Sequence, residues 1–352
     1  MTNPIPVFDG HNDVLMRLYL ERAGDPVTGF LKGGSRGHID LPKAREGHLG
    51  GGLFALFSPS SGKLSFGGMK GDSYEMPLPD LLNVDEARTA ALTQISLLLR
   101  LEAASGGDVV ICRTTGQIKE AMARGALAVV LHMEGADAID EELYFLDVLY
   151  ALGLRSLGPV WSRPNAFGHG VPFKFPGSPD TGPGLTAAGR RLVAECNRMG
   201  VLIDLSHITE KGFWDVAELS TAPLVATHSN AHSVSASPRN LTNEQLKAIR
   251  ESDGIVGLNF ATAFLRGDGQ MRADTDIEWM VRHLDALIEQ LGETRVALGS
   301  DFDGAGRPAA IGSAAGLPHL FEALRKHGYD EPLLHKIGHE NWMSVLARTI
   351  DR

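Results

Sequence analysis

Apolar runs of three to five residues alternate along this chain with longer stretches whose apolar positions repeat at helical spacing. The short runs lie at residues 6–8, 53–57, 128–132, 156–160, 201–205, 224–227, 255–259 and 296–299. Runs this short, rich in Val, Ile and Leu and bounded by turn residues, predict strands buried on both faces, as in a parallel sheet. Between most of them lie helix-length patterns at 84–103, 141–152, 186–199, 210–219, 243–251 and 276–291. Two closing helices are expected near 318–327 and 331–349. An extra apolar run at 109–112 predicts a ninth, peripheral strand.

Eight strands alternating with helices predict an α/β fold of the (β/α)8 TIM-barrel type, with extra C-terminal helices. A doubly wound open sheet is the competing arrangement, and the count of eight favours the barrel. Helix ends agree with the pattern. Thr242 is placed to cap the helix at 243, with Gln245 at the capping-box position. Thr209 precedes Glu210 in the same way, and Gly200 stands where a helix meets the next strand. Two long polar segments, 58–79 and 163–184, follow candidate strands and are expected to project from the catalytic face.

Composition narrows the class. The chain has 352 residues, 43% hydrophobic and 22% charged, which suits a globular protein with a large core. Length alone allows one elaborated barrel or two domains. With no internal repeat and no linker, residues 1–352 are expected to form one barrel domain. Thirty-three basic against 43 acidic residues give a net charge of −10. No Lys or Arg stripe forms, so nucleic acid is excluded as a partner. The two cysteines, Cys112 and Cys196, are too few for a disulfide scaffold and read as buried thiols. The start lacks the charged and apolar regions of a secretory signal, and no apolar run reaches the length of a membrane span. A cytoplasmic protein without a membrane partner is expected.

The residues that follow the strands carry the chemistry. Strand one runs into His11 and Asp13, two residues apart and on one side of an extended segment. The third strand ends in His132-Met133-Glu134, and the fourth in Trp161-Ser162-Arg163. After the fifth comes Asp204-Leu205-Ser206-His207, and after the sixth Thr227-His228. The eighth is followed by Ser300-Asp301-Phe302-Asp303-Gly304. A lone His or Asp at a strand end is usually a hydrogen-bonded structural group or a cap. Coincidence at five strand ends, all on the face where barrel enzymes place their active sites, points to a site. Three His, one Asp and one Glu exceed the three protein ligands of a single catalytic zinc. Five ligands suit two metals sharing one carboxylate, with Asp301 left to manage protons. Imidazole-rich ligation favours zinc, and the carboxylates leave manganese or iron open.

The runs Phe-Asp-Gly-His-Asn-Asp, Met-Glu-Gly, Asp-Leu-Ser-His, Thr-His-Ser-Asn-Ala and Ser-Asp-Phe-Asp-Gly resemble the membrane dipeptidase (renal dipeptidase) family of zinc peptidases. They occur in the family's order, from about residue 7 to 305. The resemblance implies a barrel holding two zinc ions that hydrolyses dipeptides. By motif, His11 and Asp13 would bind the first zinc, Glu134 would bridge, and His207 and His228 would bind the second. Asp301 would take the place of the family's proton-handling aspartate. Arg239, followed by Asn240, matches the arginine that binds the substrate's terminal carboxylate, a task suited to a bidentate guanidinium.

Two positions depart from the pattern. Where better-known members carry a His after strand four that contacts the scissile carbonyl, this chain has Trp161, which offers only an indole N–H. His169, eight residues on, is the nearby alternative source of an imidazole. Where the family has a Tyr after strand seven, this chain has Phe264. Both changes bear on substrate range. Nearby His132, His232 and Asp303 read as structural or as partners of the ligands.

The mechanism that follows from the resemblance is attack on a dipeptide amide by a hydroxide bridging the metals. Asp301 would act first as general base and then as acid. Members of the family accept D-residues at the C-terminal position, some open β-lactam rings, and many are homodimers. The alternative is a related binuclear amidohydrolase acting on a non-peptide amide or lactam, which keeps the metals but not the role of Arg239. A metal-stabilised binding protein without turnover is a third reading, and it leaves Asp301 without a task.

Overall fold

The computed structural model describes residues 4–21, 24–34, 36–60, 68, 69 and 71–352. Eleven strands are present among them. They are β1 (Val7–Asn12), β2 (Leu49–Phe57), β3 (Tyr74–Glu75), β4 (Val109–Ile111), β5 (Leu127–Glu134), β6 (Leu154–Gly158), β7 (Lys174–Phe175), β8 (Leu202–Ile203), β9 (Val225–Ala226), β10 (Ile255–Leu258) and β11 (Val296–Leu298). All eight expected strands form. The ninth run forms β4, a peripheral strand paired only to β5.

The two larger sheets are parallel, with strands in the orders β1-β2-β5-β6-β8 and β11-β10-β9. Isolated parallel bridges connect them at both ends. Asp204, after β8, pairs with Val225, and Asn12 pairs with Phe302, after β11. Alternation along the strands sorts their side chains into two sets. Phe8, Leu53, Ala128, Val130, Leu202, Val225, Ile255 and Ala297 meet in one cluster, although they come from seven different strands. Trp342 of the C-terminal helix Asn341–Ala347 fills the end of that cluster, fully buried, with its indole N–H on the carbonyl of Leu298 at 2.9 Å. A buried Trp of this kind contributes about 3–5 kcal/mol by truncation standards. Packing there is tight: a Cβ on Gly10 would lie 2.4 Å from the Trp342 ring and 2.5 Å from the Thr227 carbonyl. The alternate positions, including Val7, Val129, Leu131, Ala226, Val256 and Leu298, face the covering helices.

Local chemistry sets the helix boundaries. Thr242 and Gln245 form the expected reciprocal capping box, and Thr209 caps Glu210–Leu219. Gly200 ends Ala187–Met199 at φ 70, in the left-handed region. The expected closing helix at 331–349 is broken into Glu331–His335, a π-helical turn at Lys336–Glu340, and Asn341–Ala347. Gly338 explains the break. A Cβ there would sit 2.6 Å from the Pro6 carbonyl, so the turn presses on the chain entering β1.

The two long polar segments meet each other. Tyr74 and Glu75 pair antiparallel with Phe175 and Lys174, and the Tyr74 hydroxyl donates to the Gly269 carbonyl at 2.8 Å. Residues 61–67 and 70 of the first segment lie outside the described residues. Among the described residues no helix is long and apolar enough to cross a membrane.

Candidate metal centre

Parallel strands present one end of the sheet together, and the polar residues cluster there. β1 delivers His11, and Asp13 stands just before the following helix, Val14–Leu20, without spending its carboxylate on a cap. Glu134 is the last residue of β5, opposite Phe57 of β2. His207 and His228 follow β8 and β9, and Asp301 follows β11. His11, Asp13, Glu134, His207 and His228 are all buried, and Asp301 keeps part of its surface. Two of these residues sit in strained backbone: His207 has φ 67 and Asp301 φ 57.

The six side chains point inward on one another. Around Glu134 Oε1 stand the Nε2 atoms of His207 at 3.0 Å, His228 at 3.5 Å and His11 at 3.8 Å. The Nε2 atoms of His207 and His228 are 3.1 Å apart, and His11 Nε2 is 3.4 Å from Asp13 Oδ2. Ligand atoms of His11, Glu134 and His228 lie within 4.8 Å of one another, as do those of His11, Asp13 and Asp301.

Outer hydrogen bonds fix which nitrogen faces in. The Thr227 hydroxyl donates to Asp204 Oδ2 at 2.6 Å, so its oxygen accepts from His228 Nδ1 at 2.8 Å. That leaves His228 Nε2 with its lone pair toward Glu134. His207 Nδ1 likewise has a hydroxyl partner, Ser162 Oγ at 2.8 Å, which leaves its Nε2 the ring nitrogen nearest Glu134. Asp204 also accepts the backbone N–H of Ser206 and of Thr227. Behind β1, Asp9 accepts from Ser300 N–H and Oγ and so ties β1 to β11. A Cβ on Gly304 would lie 2.1 Å from Asp13 Oδ2 and 2.4 Å from Asp301 Oδ1. Only glycine lets that loop lie against both carboxylates.

Electrostatics mark the place as a cation site. Burial opposes charge on His11, yet Glu134, Asp13 and Asp301 lift its pKa to about 10. Burial, with Arg239 and His11 adding to it, holds His207 and His228 well below the ordinary imidazole value. Burial and the neighbouring carboxylates raise Glu134 and Asp301. An acidic pocket that draws a proton onto one imidazole, beside two neutral imidazoles with inward lone pairs, suits a divalent cation. Both ring nitrogens of His11 are buried without a hydrogen-bond partner, as expected of a metal ligand. The imidazole and carboxylate donors present fit the metal.

A cavity of about 650 Å³ opens above the cluster. Asp13, Glu134, His207 and Asp301 reach it, while His11 and His228 lie behind them. Trp161 lines it and packs edge-on against Phe57 and Phe173, at ring distances of 5.0 and 5.5 Å. Phe264 stacks on Phe173. Arg239 is not among the described lining residues. It lies in a narrow recess beside His207, with Nη2 on the His228 carbonyl at 3.1 Å and its guanidinium 5.2 Å from the Phe264 ring centre. His169 contacts the Gly184 carbonyl at 3.3 Å and does not line the cavity. His132 bonds Ser156, His232 bonds the Gly177 carbonyl, and Asp303 is held by Arg17 and the His38 N–H.

Sequence patterns did not single out Asn259, whose amide donates to Asp301 Oδ2 at 2.9 Å. The available signal was a polar residue closing an otherwise apolar strand. His38, from a loop with no strand-end mark, and Arg307, farther along the loop after β11 than the motif there, also reach the cavity.

Comparison with known proteins agrees with this geometry. The family model described as membrane dipeptidase (peptidase family M19) matches residues 1–351. A metallo peptidase from Rhodobacter sphaeroides, solved with a phosphinate mimic of the dipeptide L-Ala-D-Ala, is 54% identical to this chain. The match covers 99% of this chain and all of that one, with a TM-score of 0.96. A second solved structure, the dipeptidase AC of family M19, is 54% identical over the same share, with a TM-score of 0.97. An uncharacterized protein from the pqqA 5′ region of Klebsiella pneumoniae is 51% identical over 253 residues, 72% of this chain and 93% of its own. Over its whole length, then, the chain belongs to the membrane dipeptidase family of metallopeptidases.

Proposed function

We propose that this protein hydrolyses the amide bond of dipeptides at a centre built for two zinc ions. The observation that carries this is the convergence of three imidazole Nε2 atoms on one oxygen of Glu134, beside Asp13 and Asp301, at the floor of the cavity. His11, Asp13 and Glu134 would hold one ion, and Glu134, His207 and His228 the other. Bound metal supplies Lewis-acid polarisation of the amide carbonyl and an activated water. The two bridges between the parallel sheets support a closed eight-stranded barrel, and we take residues 1–352 as one hydrolase domain.

Asp301 is the proton carrier. Asn259 occupies its Oδ2, so Oδ1 is the oxygen that takes a proton from the attacking water and passes it to the leaving amine. Burial, with Asp13 nearby, raises its pKa above the ordinary aspartate value. Arg239 anchors the α-carboxylate. It is buried, its Nε has no partner, and although burial pushes its pKa down to about 10 it remains a cation at neutral pH. Trp161 gives the substrate a flat apolar wall where other members offer an imidazole.

A panel of dipeptides in L,L and L,D pairs, each with its C-terminal carboxamide, tests this assignment. Free dipeptides should be cleaved, and Arg239→Ala should cut kcat/KM for them by about 30-fold or more, the loss typical of a buried charged hydrogen bond. Carboxamides should lose far less. Equal losses on both, or turnover confined to non-peptide amides, would favour the alternative amidohydrolase.

A further inference from the structure

The cavity lining is chemically uneven. Phe57, Trp161, Phe173 and Phe264 make one apolar set, whereas the loop after β11 contributes charge. Apart from histidines, the titratable lining residues among those described are four carboxylates, Asp13, Glu134, Asp301 and Asp303, and one cation, Arg307. Asp303 is already engaged by Arg17 and by the His38 N–H. Arg307 is half-buried and donates through Nε to the Gly312 carbonyl at 2.8 Å. Among the described residues its two terminal nitrogens have no hydrogen bond and no ion pair.

The loop that carries it is pinned. Gly304 lies against Asp13 and Asp301, Gly306 accepts from the Thr262 N–H at 2.8 Å, and Ala309 donates to Ala273 at 2.7 Å. The guanidinium is therefore held by its base, with one edge of its fork unspent. Burial disfavours its charge and Asp303 favours it. A fixed, half-buried guanidinium with both terminal nitrogens spare is a receptor for a planar anion.

We propose, on the footing of the dipeptidase assignment, that Arg307 forms a subsite for a side-chain carboxylate, so that dipeptides containing Asp or Glu are preferred substrates. Arg239 and Arg307 would then divide the substrate's two carboxylates, α to the first and side-chain to the second.

The metal-loaded enzyme should be assayed on Ala-Glu against Ala-Gln and Glu-Ala against Gln-Ala, in L and D forms. At one of the two positions the acid should exceed its amide in kcat/KM by about tenfold or more, as a charge-assisted bond allows. Arg307→Met should bring that ratio to about one or below, and Arg307→Lys should keep part of it. Metal content and circular dichroism serve as controls for folding. A ratio near one in the native enzyme, or one unchanged in Arg307→Met, would overturn the subsite. Should no dipeptide turn over, the dipeptidase assignment itself fails. Calorimetry with N-acetylglutamate and N-acetylglutamine then decides the subsite. Tighter binding of the acid, lost in Arg307→Met, supports it, and equal binding overturns it.

Discussion

Asp301→Asn is expected to lower kcat by about 10²–10⁴-fold with little change in metal content, the range a positioned acid–base group supplies. The substitution is chosen to remove the proton chemistry and little else. Asn tolerates the left-handed backbone that Asp301 adopts at φ 57. Its side-chain oxygen can still accept from Asn259, so the loop after β11 should stay in place. KM should move little, because Arg239 and the cavity wall are untouched. Single-turnover kinetics beside metal analysis separates the cases. A kcat within tenfold of the native value would remove Asp301 from the proton path, and loss of metal would make it a ligand instead.

Glu134→Gln should act on the metals first. Its Oε1 is the one atom near which all three imidazole Nε2 atoms gather. Gln keeps the shape but loses the charge that two cations would share. The affinity loss should exceed the 10–100-fold that follows removal of an outer-shell partner, and activity should fall with occupancy. Stability should respond in the opposite sense in metal-free protein. Burial and the nearby carboxylates already raise the pKa of Glu134, so its charge is unwelcome there. Metal-free Glu134→Gln should therefore melt no lower than the native apoprotein, while the rise in Tm on adding zinc should shrink. Calorimetric scans with and without zinc read both effects. An undiminished zinc-induced rise would show that Glu134 holds no metal.

Much of this centre is legible in the sequence because parallel strands deliver their C-terminal residues to one place. His11, Glu134, His207, His228 and Asp301 each stand at or just past such an end, so one-dimensional spacing was enough to gather them. What fixes their orientation was not legible. Ser162 and Thr227 hold the outer nitrogens of His207 and His228 and so orient the rings, yet a hydroxyl near a strand end has no distinguishing pattern. Asn259 reaches Asp301 across 42 residues of sequence, and Arg17 reaches Asp303 across 286. The early helices Pro26–Lys32 and Leu41–Glu46 were missed because six or seven residues show too little period, although Asp25 and Asp40 cap them with a proline following. The closing helix looks continuous in the sequence because the contact between Gly338 and Pro6, which breaks it, joins opposite ends of the chain. Pairing of β3 with β7 is likewise a long-range event between two polar segments that look featureless alone.

The central claim is a two-metal centre made by His11, Asp13, Glu134, His207 and His228, and metal stoichiometry joined to activity tests it most directly. Purified protein should carry about two divalent ions per chain, mainly zinc. A strong chelator should abolish dipeptide hydrolysis, and about two equivalents of zinc should restore it. One ion or fewer at full activity, or hydrolysis that survives chelation, would contradict it.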